Sequence, residues 1–157
     1  MNDNKSQIYS KIYLEIKDFV SYYDKTMTLS MIAKMTVLTA ALRKFSSWNF
    51  IGFYLWRADN LIEIGPYQSD IIPCARIEKG KGVCGTAWEQ NKIIIISDVS
   101  KCENYISCDD VTKSEIVLPF YDKEGIFLGI LDIDSNKIGN FDSIDEMNLS
   151  LLLNAIK

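Results

Sequence analysis

Two runs of β-branched and aromatic residues, each broken in the middle by a polar turn, constrain the fold of this chain more than any other feature. Asn49-Phe50-Ile51-Gly52-Phe53-Tyr54-Leu55-Trp56 has the texture of a strand, Arg57-Ala58-Asp59-Asn60 is polar enough to turn, and Leu61 to Tyr67 reads as the returning strand. The pattern recurs in Ile116 to Tyr121 and Ile126 to Ile133, joined by Asp122-Lys123-Glu124-Gly125. Short connections of this kind join antiparallel neighbours, so the two hairpins predict an antiparallel sheet. Between them a short strand is expected near Cys74 to Glu78, a loop at Lys79-Gly80-Lys81-Gly82, a short helix from Val83 to Gln90 and a buried strand from Lys92 to Asp98. Val99 to Lys113 has no clear period and reads as a loop with at most one helical turn. So long a loop inside one domain is usually functional.

The ends of the chain are helical. Ile8, Ile12, Leu14, Ile16, Phe19 and Val20 recur at helical spacing, and Tyr22-Tyr23-Asp24-Lys25 reads as a connection. A second helix is expected from about Thr28 to Phe45, with Met31, Ile32, Met35, Leu38, Ala41 and Leu42 on one face and Thr28 or Ser30 as N-cap. A last helix runs from about Ser143 onward, with Ile144, Met147, Leu151, Leu152 and Ile156 on one face. The fold class is therefore α+β: an antiparallel sheet with N-terminal and C-terminal helices packed on it. One domain over residues 1–157 accounts for the length, with the N-terminal helices in about 1–46 and the sheet, long loop and C-terminal helix in 47–157.

Composition narrows the function. Apolar residues make up 48% and charged residues 24%, as in a globular protein with a substantial core. A net charge of −4 argues against nucleic acid, whose binding depends on clustered positive charge. The longest isoleucine tract, Ile93 to Ile96, is strand-sized and far short of a membrane span. Residues 1–11 are polar and mixed in charge, unlike a secretory signal, so a cytoplasmic enzyme or sensor is expected. Histidine is absent, which excludes Ser-His and Cys-His nucleophile pairs and histidine metal sites. Four cysteines, Cys74, Cys84, Cys102 and Cys108, all fall between positions 74 and 108. Without a secretory signal they do not read as a permanent disulfide framework, and thiol chemistry becomes the question.

Each candidate group has an active and an inert reading. Cys84, in Gly80-Lys81-Gly82-Val83-Cys84-Gly85-Thr86-Ala87, falls in the first turn of a helix. There unpaired N–H groups and nearby Lys81 would favour a thiolate, unless Cys84 is simply a small residue packing the helix on the sheet. The glycines lack the spacing of a phosphate loop. Cys108 lies in the long loop, where a thiol can be exposed and can move, although Asp109 and Asp110 would raise its pKa if they faced it. Asp132 and Asp134, two apart on a strand, share a face, with Leu131 and Ile133 on the other. With Glu115 they form either a cation-binding or proton-donating pocket, or a solvated strand end. Nothing specific supports a metal on these acids. Trp56 and Trp88 fit either core or partner surface.

Taken together, several of these segments resemble the free methionine-(R)-sulfoxide reductases, which are built on a single GAF domain. The resemblance lies in Asn49 to Leu55, Gly65-Pro66-Tyr67-Gln68, Pro73-Cys74-Ala75-Arg76-Ile77, Gly80 to Ala87, Cys108-Asp109, Ser114-Glu115-Ile116-Val117-Leu118-Pro119 and Leu131-Asp132-Ile133-Asp134-Ser135. It implies a GAF-like sheet and thiol-dependent reduction of free L-methionine-(R)-S-oxide, with thioredoxin as electron donor and no bound cofactor. It implies Cys108 as nucleophile, Cys74 as resolving thiol, Cys84 as a second recycling thiol, and Glu115, Asp132 and Asp134 as the acids that hold the ammonium group and polarise the sulfoxide oxygen. Tyr54 and Phe50 would line the substrate pocket. The family usually has Trp at the position of Phe50 and often His at that of Tyr105, so the apolar wall is kept but its shape changes. Cys102 has no family role. A ligand-sensing GAF module, for a cyclic nucleotide or another small molecule, is the alternative. Three acids would repel a phosphate, however, and a sensor has no use for three cysteines in register. A homodimer through the N-terminal helices or the sheet edge is also expected.

Overall fold

Side-chain alternation along the strands sorts this chain into two layers divided by one sheet. A computed structural model describes residues 2–106 and 109–157. In chain order the elements are α1 (Asn2–Asp24), α2 (Met31–Leu42), β1 (Trp48–Ala58), β2 (Leu61–Ser69), β3 (Arg76–Glu78) and α3 (Gly82–Gln90). Then come β4 (Ile94–Ile96), a 3-10 turn (Val99–Lys101), β5 (Ser114–Tyr121), β6 (Phe127–Ser135) and α4 (Ser143–Ala155). The six strands form one sheet in the order β3-β2-β1-β6-β5-β4, every neighbouring pair antiparallel. The expected α+β class and both hairpins are present. Asp122 holds the β5–β6 turn, accepting from the N–H groups of Glu124 and Ile126 while Gly125 takes φ +82°.

One face of the sheet buries Ile51 and Phe53 of β1, Ile116, Leu118 and Phe120 of β5, and Leu131 and Ile133 of β6. Against them pack α1, α2 and α4 through Tyr9, Ile12, Ile16, Met35, Leu38, Leu42, Leu149, Leu152 and Leu153. The opposite face carries a smaller cluster, Phe50, Tyr54, Val117 and Ile130, covered by Val83, Cys84, Ala87 and Trp88 of α3. Helix α3 is pinned at its C-terminal end, where Trp88 stacks on Phe127 at 5.4 Å and Lys79 lies over the same indole.

Several boundaries and faces differ from the sequence reading. Tyr22 to Asp24 belong to α1, and α2 starts at Met31 because the Ser30 hydroxyl, not Thr28, accepts from the Ala33 N–H. Within Lys92 to Asp98 the strand is three residues, Ile94–Ile96, and half-buried, since it ends the sheet and among the described residues has only β5 as strand neighbour. Helix α4 buries Asp145, Leu149, Leu152 and Leu153 and leaves Met147 and Leu151 exposed. Likewise Leu14 and Ile32 are exposed, while Lys34 is buried and paired with Asp24 at 3.1 Å.

The rotation of α4 has a polar cause. Asp145 is fully buried and accepts from Lys5 Nζ at 2.5 Å, Tyr9 Oη at 2.8 Å and the Asp142 N–H at 2.9 Å. It completes a capping box with Asp142 and ties the first helix to the last. Asp145→Ala is expected to destabilise the chain by about 3 kcal/mol, because it removes the nearest counter-charge of Lys5 and leaves the buried Tyr9 hydroxyl without its acceptor. Asp142→Ala, which removes a cap and the longer, more exposed ion pair to Lys5, should cost about 1 kcal/mol. Urea midpoints of the two variants check this order, and equal midpoints would refute it.

Candidate active site

The site begins with strand register. Glu115 of β5 stands opposite Asp134 of β6, and Asp134 stands opposite Phe50 of β1. One step along, Val117, Asp132 and Gly52 are aligned in the same way. Period-two alternation then puts all three acids on the face that α3 covers. Glu115 and Asp132 are 4% and 6% exposed, so the solvated-strand-end reading does not hold for them; Asp134 is half-buried.

Helix α3 reaches this face because Gly85 has no side chain: a Cβ there would lie 2.3 Å from the Glu78 carbonyl oxygen. The close approach brings Cys84 Sγ to 3.6 Å from Glu115 Oε1. Gly52 does similar service on β1, where the ring of Phe50 folds over it and would meet a Cβ at 2.4 Å. Phe50 also stacks on Tyr67 at 6.1 Å.

A cavity of about 330 Å³ opens between α3, the sheet and the segment after β4. Of the residues singled out from sequence, it is lined by Tyr54, Cys74, Cys84, Glu115, Asp132 and Asp134. Phe50 is not among its lining residues; it lies behind them, 6.3 Å from the Tyr54 ring. Cys74 is disulfide-bonded, and Cys84 and Cys102 carry free thiols. Cys102 is half-buried against the smaller apolar cluster. Cys108 lies outside the described residues.

Burial, followed by repulsion from Asp132 and Asp134, pushes the Glu115 carboxyl well above its ordinary pKa. Asp132 is pushed up to about 7 by burial, against the pull of hydrogen bonds with Cys84 and Glu115. Burial and then the charges of Asp132 and Asp109 push Asp134 well up too. No ion pair to Lys or Arg offsets these acids among the described residues. The cluster therefore holds protons near neutrality.

The same surroundings correct the electrostatic reading of Cys84. Burial, then Asp132 and Glu115, push its thiol well up, so it stays protonated. A helix N-terminus contributes only about 0.3–1 kcal/mol, less than desolvation and two carboxylates remove. The hydroxyls of Tyr54 and Tyr105 are pushed up by burial and by these acids, and both remain neutral donors. Cys84, Glu115 and Asp132 also place one potential metal-ligand atom each within 4.8 Å of one another.

Other residues take places at the site that the sequence does not announce. Arg76 and Lys81 line the cavity and add positive charge to its wall. Asp109 lines it as well, with its carboxylate occupied: it accepts from the N–H groups of Val111 and Thr112 at 2.7 Å and from the Thr112 hydroxyl at 2.9 Å. Asn49 of β1 donates to Thr112 Oγ1 at 2.9 Å and to Asp109 at 3.4 Å. This clamp ties the end of the long loop to the sheet. The spacing Asp109-Asp110-Val111-Thr112 is a turn signal that could have revealed it.

No family model matches the chain. It is 37% identical over 150 residues to the free methionine-R-sulfoxide reductase of Escherichia coli, covering 96% of this chain and 87% of that protein. It is 46% identical over 124 residues to GAF domain-containing protein A of Dictyostelium discoideum, covering 79% and 77%. Among solved structures, the free methionine-R-sulfoxide reductase of Neisseria meningitidis in complex with its substrate superposes with a TM-score of 0.86 at 29% identity, covering 97% of this chain and 87% of that one.

The acid cluster makes stability depend on pH in a defined direction. Folded, its carboxyls bind protons that the unfolded chain, with pKa values of about 4, releases. Their contribution is fully present below about pH 4. It falls as pH rises through about 7, where Asp132 titrates, and further as Glu115 and Asp134 titrate. The urea midpoint should be lower at pH 8 than at pH 5, and Asp132→Asn should shrink the difference. An undiminished difference in that variant would place the slope elsewhere.

Proposed function

The chain belongs to the free methionine-R-sulfoxide reductase family and is an oxidoreductase of that kind, and we propose that its substrate is free L-methionine-(R)-S-oxide. Its fold is that of the GAF domains, and we take residues 1–157 as one such unit. One observation carries the substrate reading: three carboxyls crowd one wall of a cavity of about 330 Å³ without a cationic partner among the described residues. An α-ammonium group supplies that partner, and the α-carboxylate of a free amino acid finds positive charge at Arg76 and Lys81. A phosphate would be repelled by the same acids, which disfavours a nucleotide ligand.

The reaction needs a proton where these acids hold one. Sulfoxide sulfur is a weak electrophile until its oxygen is protonated or strongly hydrogen-bonded. In the proposed mechanism Glu115, kept protonated by burial and by its neighbours, protonates that oxygen. Asp132 and Asp134 hold the ammonium group, and Tyr54 contributes the aromatic wall, with Phe50 packed behind it. The Cys108 thiolate attacks sulfur, takes the oxygen as a sulfenic acid and releases methionine. The Cys74 thiol then attacks the sulfenic sulfur, expelling water and closing a disulfide that a thioredoxin dithiol reduces. The disulfide-bonded state of Cys74, beside free thiols at Cys84 and Cys102, supports this pairing. Cys84 is the accessory thiol, and its protonated state is in keeping with a secondary role.

Incubation with racemic methionine sulfoxide and dithiothreitol should consume the R diastereomer and spare the S. An acetylated, amidated substrate, lacking the ammonium group, should turn over poorly; comparable turnover would remove the argument from the acids. Glu115→Gln should lower the rate by about 100-fold or more with the fold intact. Cys108→Ser should be inactive even with dithiothreitol, because a serine hydroxyl does not attack sulfur. Cys74→Ser should be active with dithiothreitol and fail with thioredoxin, while Cys102→Ser should match the wild type. Full activity of Cys108→Ser with loss in Cys84→Ser would make Cys84 the nucleophile.

A further inference from the structure

We propose that Cys84, Glu115 and Asp132 form a coordination site for a divalent cation of the zinc class at the floor of the cavity. The three donor atoms come from three elements fixed against one another: α3, held close by Gly85, and the neighbouring strands β5 and β6. All three residues are buried, and their ligand atoms lie within 4.8 Å of one another.

The spacing suits zinc. With Zn–S of about 2.3 Å and Zn–O of about 2.0–2.2 Å, a tetrahedral ion separates a sulfur ligand from an oxygen ligand by about 3.6 Å. Cys84 Sγ and Glu115 Oε1 are 3.6 Å apart. The pair already has the separation of two ligands of one ion, and the Asp132 ligand atom lies within 4.8 Å of both.

A second observation concerns Asp132 itself. It is 6% exposed, lines the cavity, and its Oδ1 has no hydrogen-bond partner among the described residues. A buried carboxylate oxygen without a donor is costly, and a cation bound by Asp132 would satisfy it. Trp48 Nε1 and Asn49 Oδ1, the other buried polar side-chain atoms without partners among the described residues, belong to residues lining a second, smaller hollow.

Donor chemistry sets the class of ion. Magnesium and calcium take oxygen ligands, whereas one thiolate with two carboxylates selects a borderline ion such as zinc. On binding, Cys84 gives up its thiol proton, and Glu115 and Asp132 the protons they hold, to solvent, as anionic ligands must. Three protein ligands leave a fourth position facing the cavity, in the manner of open zinc sites. A bound ion would occupy the acids that the proposed function assigns to the substrate's ammonium group. Zinc and substrate should therefore exclude one another, and this consequence alone rests on that reading.

The test uses the full chain, free of tags and with Cys74 disulfide-bonded, so that Cys84 and Cys102 are the free thiols among the described residues. Zinc alone is titrated in competition with a chromophoric chelator. One equivalent should bind, at least tenfold more weakly to Cys84→Ser and Asp132→Asn, and unchanged to Cys102→Ser. Cobalt(II) bound to the wild type should show a thiolate-to-metal charge-transfer band that is absent from Cys84→Ser. The band in the wild type is decisive even where a variant fails to fold. Its absence, or zinc binding that follows Cys102 instead, overturns the site. Adding free methionine sulfoxide should weaken zinc binding; zinc binding with the band but indifferent to substrate would refute the ammonium assignment and leave the cation site standing.

Discussion

Glu115 stands across from Asp134, and Val117 from Asp132, because β5 and β6 pair in one register and no other. A slip of one residue would turn Leu131 and Ile133 out of the helical layer and the acids into it. The large core thus enforces the position of the acids. Ile116, Leu118, Leu131 and Ile133 are fully or almost fully buried, and their burial holds three mutually repelling carboxyls together on the opposite face. Apolar packing on one side opposes electrostatic strain on the other.

That strain is what gives the cavity its chemistry. Isolated in water these carboxyls would be ionised at neutral pH; beneath α3 they retain protons, and a thiol among them does too. A site of this kind favours cations and proton donation and disfavours a resident anion. It also separates two cysteine settings: Cys84 is a free thiol buried among acids, whereas Cys74, disulfide-bonded, lies half-buried on the cavity wall. The clamp of Asn49, Thr112 and Asp109 then joins the long loop to the same strand that carries Phe50 and Tyr54.

What could be read from the sequence was local. Turn residues at Asp122 to Gly125 and the alternation around Asp132 and Asp134 announce a hairpin with two acids on one side. Which side would be covered was not legible, because that depends on α3 crossing the sheet through the contact of Gly85 with the Glu78 carbonyl. Helix faces are hidden for a related reason. Apolar spacing places Met147, Leu151, Leu14 and Ile32 inside, whereas the core admits Asp145 and Lys34, each satisfied by a partner elsewhere in the chain. The helix terminus does not set the state of Cys84, because the neighbouring acids come from strands some 30 to 50 positions away in the chain.

The sheet that separates the two clusters also separates two kinds of change. Substitutions among Tyr9, Leu38, Leu149 and their neighbours alter a layer that shares no lining residue with the cavity. Their effects on folding and those of changes around Cys84 should sum independently, since distant sites without common partners do not couple. A lineage carrying this architecture can therefore replace most of its helical layer, drifting in heat tolerance, while its chemistry stays still. Conversely, a few substitutions under α3 can redirect the chemistry at little risk to the fold.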